Sequence, residues 1–373
     1  MINLNNRLIT DSWFPLLKHK WHLIGFILLL SSSLSTYSFY NKKEIHTTEV
    51  ERIYTFYNAM FDHLEKDYFM NADYDWAKLK EQTIKDALAK DTFDESIALT
   101  SEVFDSIKCN HCQIFFADAY YGSSLNKTLG QEDFSTEFLL EYQNNPSFRV
   151  SLVNEEYGYI NMPGMLLIDI PIDELNNKAQ AMYDAIAKLN DSKEIKGWIV
   201  DLRFNIGGNA YPMIASLYHL LGDRIVFNVK DREGNIRSRQ WLENGAFISD
   251  NKVKTKIVPT ISADVKTPVA LIIGKLTASA GENIAIAFQQ RANSVIVGEE
   301  SYGHLTANSL VDLSEGAQFA ITTGYIVDDK GYYRHTITPD ISISKQDNFK
   351  DLTEDGNIKR AIKYFKSASV KKN

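Results

Sequence analysis

Trp198-Ile199-Val200-Asp201-Leu202-Arg203-Phe204-Asn205-Ile206-Gly207-Gly208 is the stretch on which the fold turns. Its first three residues are apolar, as in a strand buried on both faces. Paired glycines after a strand let the backbone turn sharply and bring free N–H groups close to a ligand. Upstream, Tyr157 to Met162 is another short apolar run. Between the two, Leu175, Ala179, Met182, Ile186 and Leu189 recur at helical spacing. Downstream, the pattern predicts a helix around Met213 to Leu221 and a strand over Pro268 to Ile273. A helix over Ala280 to Gln290 and a strand over Ser294 to Val297 come next. Strands alternating with helices define an α/β core.

Further out, Thr48-x-x-Glu51 is a capping-box pattern, followed at helical spacing by Val50, Ile53, Tyr54, Tyr57, Met60, Phe61 and Leu64. Trp76 to Leu88 and Ile97 to Ile107 read as two more amphipathic helices, so residues 41–112 are expected to form a helical cap. Gln113 to Ala117 reads as a strand within a connecting segment over 113–149, and the core is expected over 150–345. Ala317 to Tyr325 and Gly331 to Ile337 read as strands joined by a turn at Asp328-Asp329-Lys330-Gly331. Residues 346–373 form a basic tail, helical from about Asp351.

Composition narrows the function. Hydrophobic residues make up 44% and charged residues 24% of the 373, which excludes a disordered or collagen-like chain. The net charge is −8, so nucleic acid is a poor partner, because phosphate binding rests on clustered Lys and Arg. With only Cys109 and Cys112, a disulfide-dense scaffold and a four-cysteine zinc site are excluded. Trp21 to Tyr40 carries no Asp, Glu, Lys or Arg, and 20 residues of helix at ~1.5 Å each would span a bilayer core of ~30 Å. Arg7, Lys18 and Lys20 precede it, which orients that end to the cytoplasm. A retained signal anchor and a signal peptide cleaved near Ser33-Leu34-Ser35 both fit; the long lead before the apolar run favours the anchor.

Two further blocks carry chemistry. Thr277-Ala278-Ser279-Ala280-Gly281-Glu282 lies where a strand gives way to a helix, and helix N–H groups there can support a developing oxyanion. Ser279 as a plain N-cap, with Glu282 completing a capping box, is the competing reading. Gly298-Glu299-Glu300-Ser301-Tyr302-Gly303-His304 ends a strand in a glycine-punctuated loop that carries a histidine. The nucleotide-binding patterns G-x-G-x-x-G and G-x-x-x-x-G-K-[ST], and the hydrolase elbow G-x-S-x-G, are not present in these blocks.

In their order and spacing, D-L-R-x-N-x-G-G, T-A-S-A-G-E and G-E-x-x-x-G resemble the C-terminal processing (tail-specific) and tricorn-type serine peptidase family. Thr338-Pro339-Asp340-Ile341 looks like the family's terminal P-D strand. The resemblance implies a ClpP/crotonase-like α/β core of ββα units, preceded by the helical cap and, here, by one transmembrane helix. It implies Ser279 as nucleophile, with the N–H of Ala280 and an N–H of Gly207 or Gly208 as oxyanion hole. Asp201 and Arg203 would hold the loop, and Glu282 would support the site. No metal or organic cofactor is implied.

The general base departs from the processing branch, which uses a lysine shortly after G-E-x-x-x-G. His304 stands there instead, 25 residues after Ser279. The tricorn-type branch takes a histidine from just after the N-terminal helices, and His111 fits that place. The arrangement also resembles a membrane-anchored branch that uses a serine–histidine pair, whose T-A-N run has a counterpart in Thr306-Ala307-Asn308. His111 is therefore the expected base and His304 the alternative; a neutral imidazole with a pKa near ~6.5 can accept the serine proton at neutral pH. His63, His219 and His335 read as ordinary polar histidines. No carboxylate occurs in Tyr333-Arg334-His335-Thr336, where some members carry a glutamate. The segment between His111 and the core is less than half a PDZ domain, so that module is expected to be absent.

Cys109-Asn110-His111-Cys112 fails the haem pattern C-x-x-C-H, follows rather than precedes a helix, and has too few nearby ligands for a metal. A short disulfide in an exported protein and two free thiols remain open. The sequence thus points to a serine endopeptidase outside the cytoplasm, with peptide or protein substrates such as C-terminal tails or antimicrobial peptides, and no nucleic acid partner. A non-catalytic, peptide-binding relative is the alternative, against which Ser279 and His111 both argue. The expected topology has a direct check. A reporter active only in the cytoplasm, fused at Asn373, should be silent; a strong signal would reverse the orientation.

Overall fold

The computed structural model describes residues 48–167 and 170–370; the apolar stretch Trp21 to Tyr40 lies outside them. Among the described residues no helix is long and apolar enough to cross a membrane. The described residues divide into two compact units: residues 48–128 with Ser309–Ile321, and the described part of Leu129–Asn308 with residues 322–370.

The first unit is helical. Helix α1 (Glu49–Asp67) starts in a capping box: Thr48 N–H donates to Glu51 Oε2 at 2.9 Å, and Glu51 N–H to Thr48 Oγ1 at 3.2 Å. Such a cap contributes about 1 kcal/mol. Helices α2 (Trp76–Ala87), α3 (Phe93–Ser96) and α4 (Leu99–Ser106) follow, and α1 buries Ile53, Phe56, Tyr57, Met60, Phe61 and Leu64. Strands β1 (Gln113–Phe116) and β2 (Ala119–Gly122) pair antiparallel, and β1 also pairs with Gln318 to Ala320.

The second unit contains α5 (Thr136–Gln143), β3 (Arg149–Val153), β4 (Tyr157–Asn161), α6 (Ile172–Ser192) and β5 (Gly197–Asp201). Helices α7 (Ala210–Ser216) and α8 (Tyr218–Leu221) lead to β6 (Arg224–Lys230), β7 (Ile236–Glu243), β8 (Ala246–Ser249) and β9 (Lys252–Lys256). Then come β10 (Val269–Ile273), α9 (Ala280–Gln289), β11 (Ser294–Gly298), β12 (Thr306–Asp312), β13 (Gln318–Val327), β14 (Ile341–Ser342) and α10 (Gly356–Val370). Strands β12 and β13 run from one unit into the other. The central sheet has the order β14-β11-β10-β5-β4-β3 and is parallel except for the β3–β4 pair. Successive β5 residues point to opposite faces. Trp198 and Val200 join a core with α6, α7 and α9, while Ile199 joins one with Ile358, Ile362 and Phe365 of α10. Both faces are covered, which is why β5 and β10 are continuous apolar runs.

Arg203 fixes the end of β5. Its guanidinium bonds Asp201 (Nε to Oδ1 3.0 Å, Nη2 to Oδ2 2.6 Å), Asp347 (2.6 Å) and Asp355 (2.8 Å), and it lies 4.3 Å over the Phe349 ring. Tyr159 Oη donates to Asp201 at 2.8 Å. Burial disfavours the Arg203 charge, but Asp201, Asp355 and Asp347 outweigh it and raise its pKa well above the ordinary value.

Two readings need correction, and one array of strands is not foreseen by the sequence. Residues 331–337 form no strand; only an isolated bridge joins Tyr333 to Val327. The Asp328 carboxylate takes the N–H groups of Lys330 (3.1 Å) and Tyr332 (2.8 Å), so these donors cap a turn instead of extending a ladder. The helix expected over Met213 to Leu221 starts at Ala210, capped by Asn209, and breaks at Leu217. The antiparallel array β6-β7-β8-β9 has no counterpart in the sequence reading. Register shifts at Ile225/Phe227 and Phe247/Ile248 interrupt the period-2 pattern that would have marked it.

Replacing Arg203 with Met should leave two buried carboxylates, Asp201 and Asp355, and the partly buried Asp347 without their cation. Breaking such a cluster from one side costs about 3–5 kcal/mol. Urea unfolding should show a loss of that size, and a loss near zero would contradict the role of Arg203 as the brace of this loop.

Candidate active site

The loop after β10 is pinned to the loop after β5. Thr277 Oγ1 donates to Leu202 O at 2.8 Å and accepts from Gly274 N–H at 2.9 Å. Ala278 N–H donates to Asn205 O at 2.9 Å, and Tyr302 N–H to Thr277 O at 2.8 Å. Asn205 is fully buried; its Nδ2 donates to Met162 O at 3.1 Å. These bonds place Ser279, half-buried, at the N-cap of α9 with φ 50° and ψ −110°. A non-glycine residue there is strained, and such strain persists only where surroundings over-determine it.

Gly207 lies against this serine loop and Gly208 against Met165, with φ of 112° and 103°. A Cβ on Gly207 would come within 3.0 Å of Ser279 Cβ, and one on Gly208 within 2.1 Å of Met165 O. Both the dihedrals and the close approach require glycine. Gly207 N–H donates to Asn205 Oδ1 at 3.1 Å. Among the described residues, the N–H groups of Gly208 and Ala280 have no acceptor.

Glu282 is fully buried on the first turn of α9 and gathers four donors. Ser279 N–H and His304 N–H reach Oε2 at 2.8 and 2.9 Å, and Ser301 Oγ and Gly303 N–H reach Oε1 at 2.5 and 2.9 Å. Burial pushes the Glu282 carboxyl up to about 7, against the downward pull of these hydrogen bonds. Ser301 Oγ also accepts from Ile337 N–H at 2.8 Å, so the segment before β14 is tied in.

His304 is half-buried, with its ring 4.6 Å from that of Tyr302. His111 belongs to the first unit, where it is 9% exposed in the turn between α4 and β1. Cys109 and Cys112, which flank it, form a disulfide. The second unit thus brings together Ser279, Ala280, Gly207, Gly208, Glu282 and His304. Of the other histidines, His63 bonds Asp67 at 3.1 Å, and His219 sits between Ser262 O (2.8 Å) and Asn190 Oδ1 (3.2 Å), its pKa lowered by burial. Among the described residues no group of three or more His, Cys, Asp or Glu could hold a metal ion. Sequence reasoning missed Ser301 and the structural part played by Asn205, although both stand inside the quoted motifs.

Residues 156–343, just over half of the chain, match the family model described as peptidase family S41. The chain belongs to peptidase family S41. The nisin-resistance protein of Lactococcus lactis subsp. lactis is 35% identical over 155 residues, covering 39% of this chain and 45% of that protein. A carboxyl-terminal-processing protease of Synechocystis is 28% identical over 163 residues, covering 40% and 38%. The chain thus spans less than half the length of these two relatives. A solved structure of a lipoprotein from Streptococcus agalactiae shares the fold, with a TM-score of 0.62 at 21% identity, over 87% of this chain and 98% of that one.

In this S41 chain the raised pKa of Glu282 makes stability depend on pH. Its acid holds the proton more tightly folded than unfolded, so the contribution is complete below the ordinary value of 4.5 and lost as pH rises to about 7. That interval corresponds to about 3 kcal/mol. Urea unfolding between these limits should show stability falling with pH, and Glu282→Gln should flatten the slope whatever its constant cost. An equal slope in the variant would show that Glu282 does not titrate there.

Proposed function

We propose that this chain is a membrane-anchored serine endopeptidase acting outside the cytoplasm, with Ser279 as nucleophile and His111 as general base. The observation that carries the reading is Ser279 on the strained N-cap of α9, packed against Gly207, with the Gly208 and Ala280 N–H groups left without acceptors. Ser279 Oγ attacks the scissile carbonyl while His111 takes its proton. The imidazolium returns that proton to the leaving amine, and water then hydrolyses the acyl-enzyme with the histidine again as base. The Gly208 and Ala280 N–H groups receive the oxyanion, at about 3–4 kcal/mol per donor. Gly208 is preferred to Gly207 because the Gly207 N–H already bonds Asn205. Glu282 holds the serine loop and the His304 loop in place.

The uncharged stretch Trp21 to Tyr40 behind Arg7, Lys18 and Lys20 supports the anchor. Peptide or protein tails are the substrate class the relatives' names support, and antimicrobial peptides are included through the nisin-resistance protein. His304 as base is the second reading, favoured because its N–H and that of Ser279 share one Glu282 oxygen.

A fluorophosphonate probe on the full chain in detergent tests the assignment. Ser279→Ala should abolish labelling. His111→Ala should slow it by on the order of a hundredfold or more, as removal of a general base does. His304→Ala should change it by less than about threefold. Labelling should rise with pH as the imidazole loses its proton. Slow labelling of His304→Ala beside normal labelling of His111→Ala would give the base role to His304, and a chain that is never labelled would be a binder.

A further inference from the structure

We infer that the Cys109–Cys112 disulfide is a positioning device for His111; the inference rests on His111 being the base. The turn that carries this histidine is built residue by residue. Helix α4 closes in a Schellman motif: Lys108 adopts the left-handed conformation (φ 53°), Cys109 N–H donates to Phe104 O at 2.8 Å, and Lys108 N–H to Asp105 O at 3.1 Å. Tyr68 and Tyr74 hydroxyls both donate to Ile107 O, at 3.0 and 2.6 Å. The chain is therefore fixed up to Cys109. On the far side, Gln113 is held by pairing with both Ala320 and Gly122.

Between these fixed ends, Cys109–Cys112 is a four-residue turn. Its closing backbone bond, Cys112 N–H to Cys109 O, is long at 3.3 Å. The disulfide joins the same two residues, and both cysteines are buried, 3% and 0% exposed, in the core of this unit with Phe104, Ile107, Ile114 and Phe319. His111 stands on that cross-link as on a clamped hinge. A catalytic base misplaced by about 1 Å can lose on the order of a hundredfold in rate. The burial of both sulfurs suits a fixed brace better than a solvent-facing redox sensor. Opening it requires an external dithiol, which donates two electrons and two protons: the S–S bond breaks, two thiols form and the reagent closes to its own disulfide.

The test uses the fluorophosphonate probe and the full chain in two backgrounds. Cys109→Ala/Cys112→Ala, folded by its melting curve, should label at least about tenfold more slowly than the parent. Added to His111→Ala, the same pair should change the residual rate less than about twofold, because residues acting as one unit do not add. A merely structural disulfide would slow both backgrounds alike, and that result, or no slowing in the parent, overturns the inference. If the paired variant does not fold, dithiothreitol replaces it, with thiols counted by alkylation mass and the rate followed as they appear and as reoxidation removes them. Normal labelling of His111→Ala alone would remove the base assignment itself, a failure distinct from slow labelling of His111→Ala with an inert disulfide.

Discussion

The buried carboxylate of Glu282 is the interaction on which the site depends. One side chain receives the N–H of Ser279, the hydroxyl of Ser301 and the N–H groups of Gly303 and His304. It thereby holds the serine at the start of α9 and the histidine loop after β11 in one arrangement. Through Ser301 it also reaches the segment before β14. Burying a carboxylate is costly unless its oxygens are fully bonded, and burial still lifts its pKa to about 7. The serine loop therefore rests on a group whose charge changes near neutral pH.

The strain at Ser279 follows from the same construction. A left-handed φ at a non-glycine residue costs of order 1–3 kcal/mol. The restraints that sustain it come from both sides: Ala278 N–H to Asn205 O before the serine, Ser279 N–H to Glu282 after it, and Asn283 N–H to Ser279 O within the helix. Arg203, with its three carboxylates, anchors the loop from which Asn205 reaches the serine loop. Stability invested around β5 and β10 is what keeps a reactive serine in a conformation it would not hold alone.

Much of this was legible in the sequence because the relevant forces are local. The buried strands β5 and β10 are unbroken apolar runs, and Thr48-x-x-Glu51 marks the start of α1. Ser279 and Glu282 sit three residues apart as a capping pair should, and the structure forms the Glu282 half of that pattern. Long-range bonds were not legible. Nothing local announces that Ser301 would donate to a glutamate 19 residues earlier, or that Arg203 would gather Asp347 and Asp355 from 144 and 152 residues away. The array β6-β7-β8-β9 escaped because its bulges break the alternation, and 331–337 misled because its donors turn to Asp328. Cysteine spacing left both a disulfide and two thiols open, since spacing constrains distance along the chain and not geometry; the fold closes the pair.

The central claim is that Ser279 attacks and that the Gly208 and Ala280 N–H groups receive the developing charge. A crystal structure of the chain after reaction with a fluorophosphonate tests it most directly. Phosphorus should be bonded to Ser279 Oγ, with the phosphonyl oxygen about 2.7–3.1 Å from both nitrogens. An adduct on another residue, or a phosphonyl oxygen turned away from Gly208 and Ala280, would contradict the account.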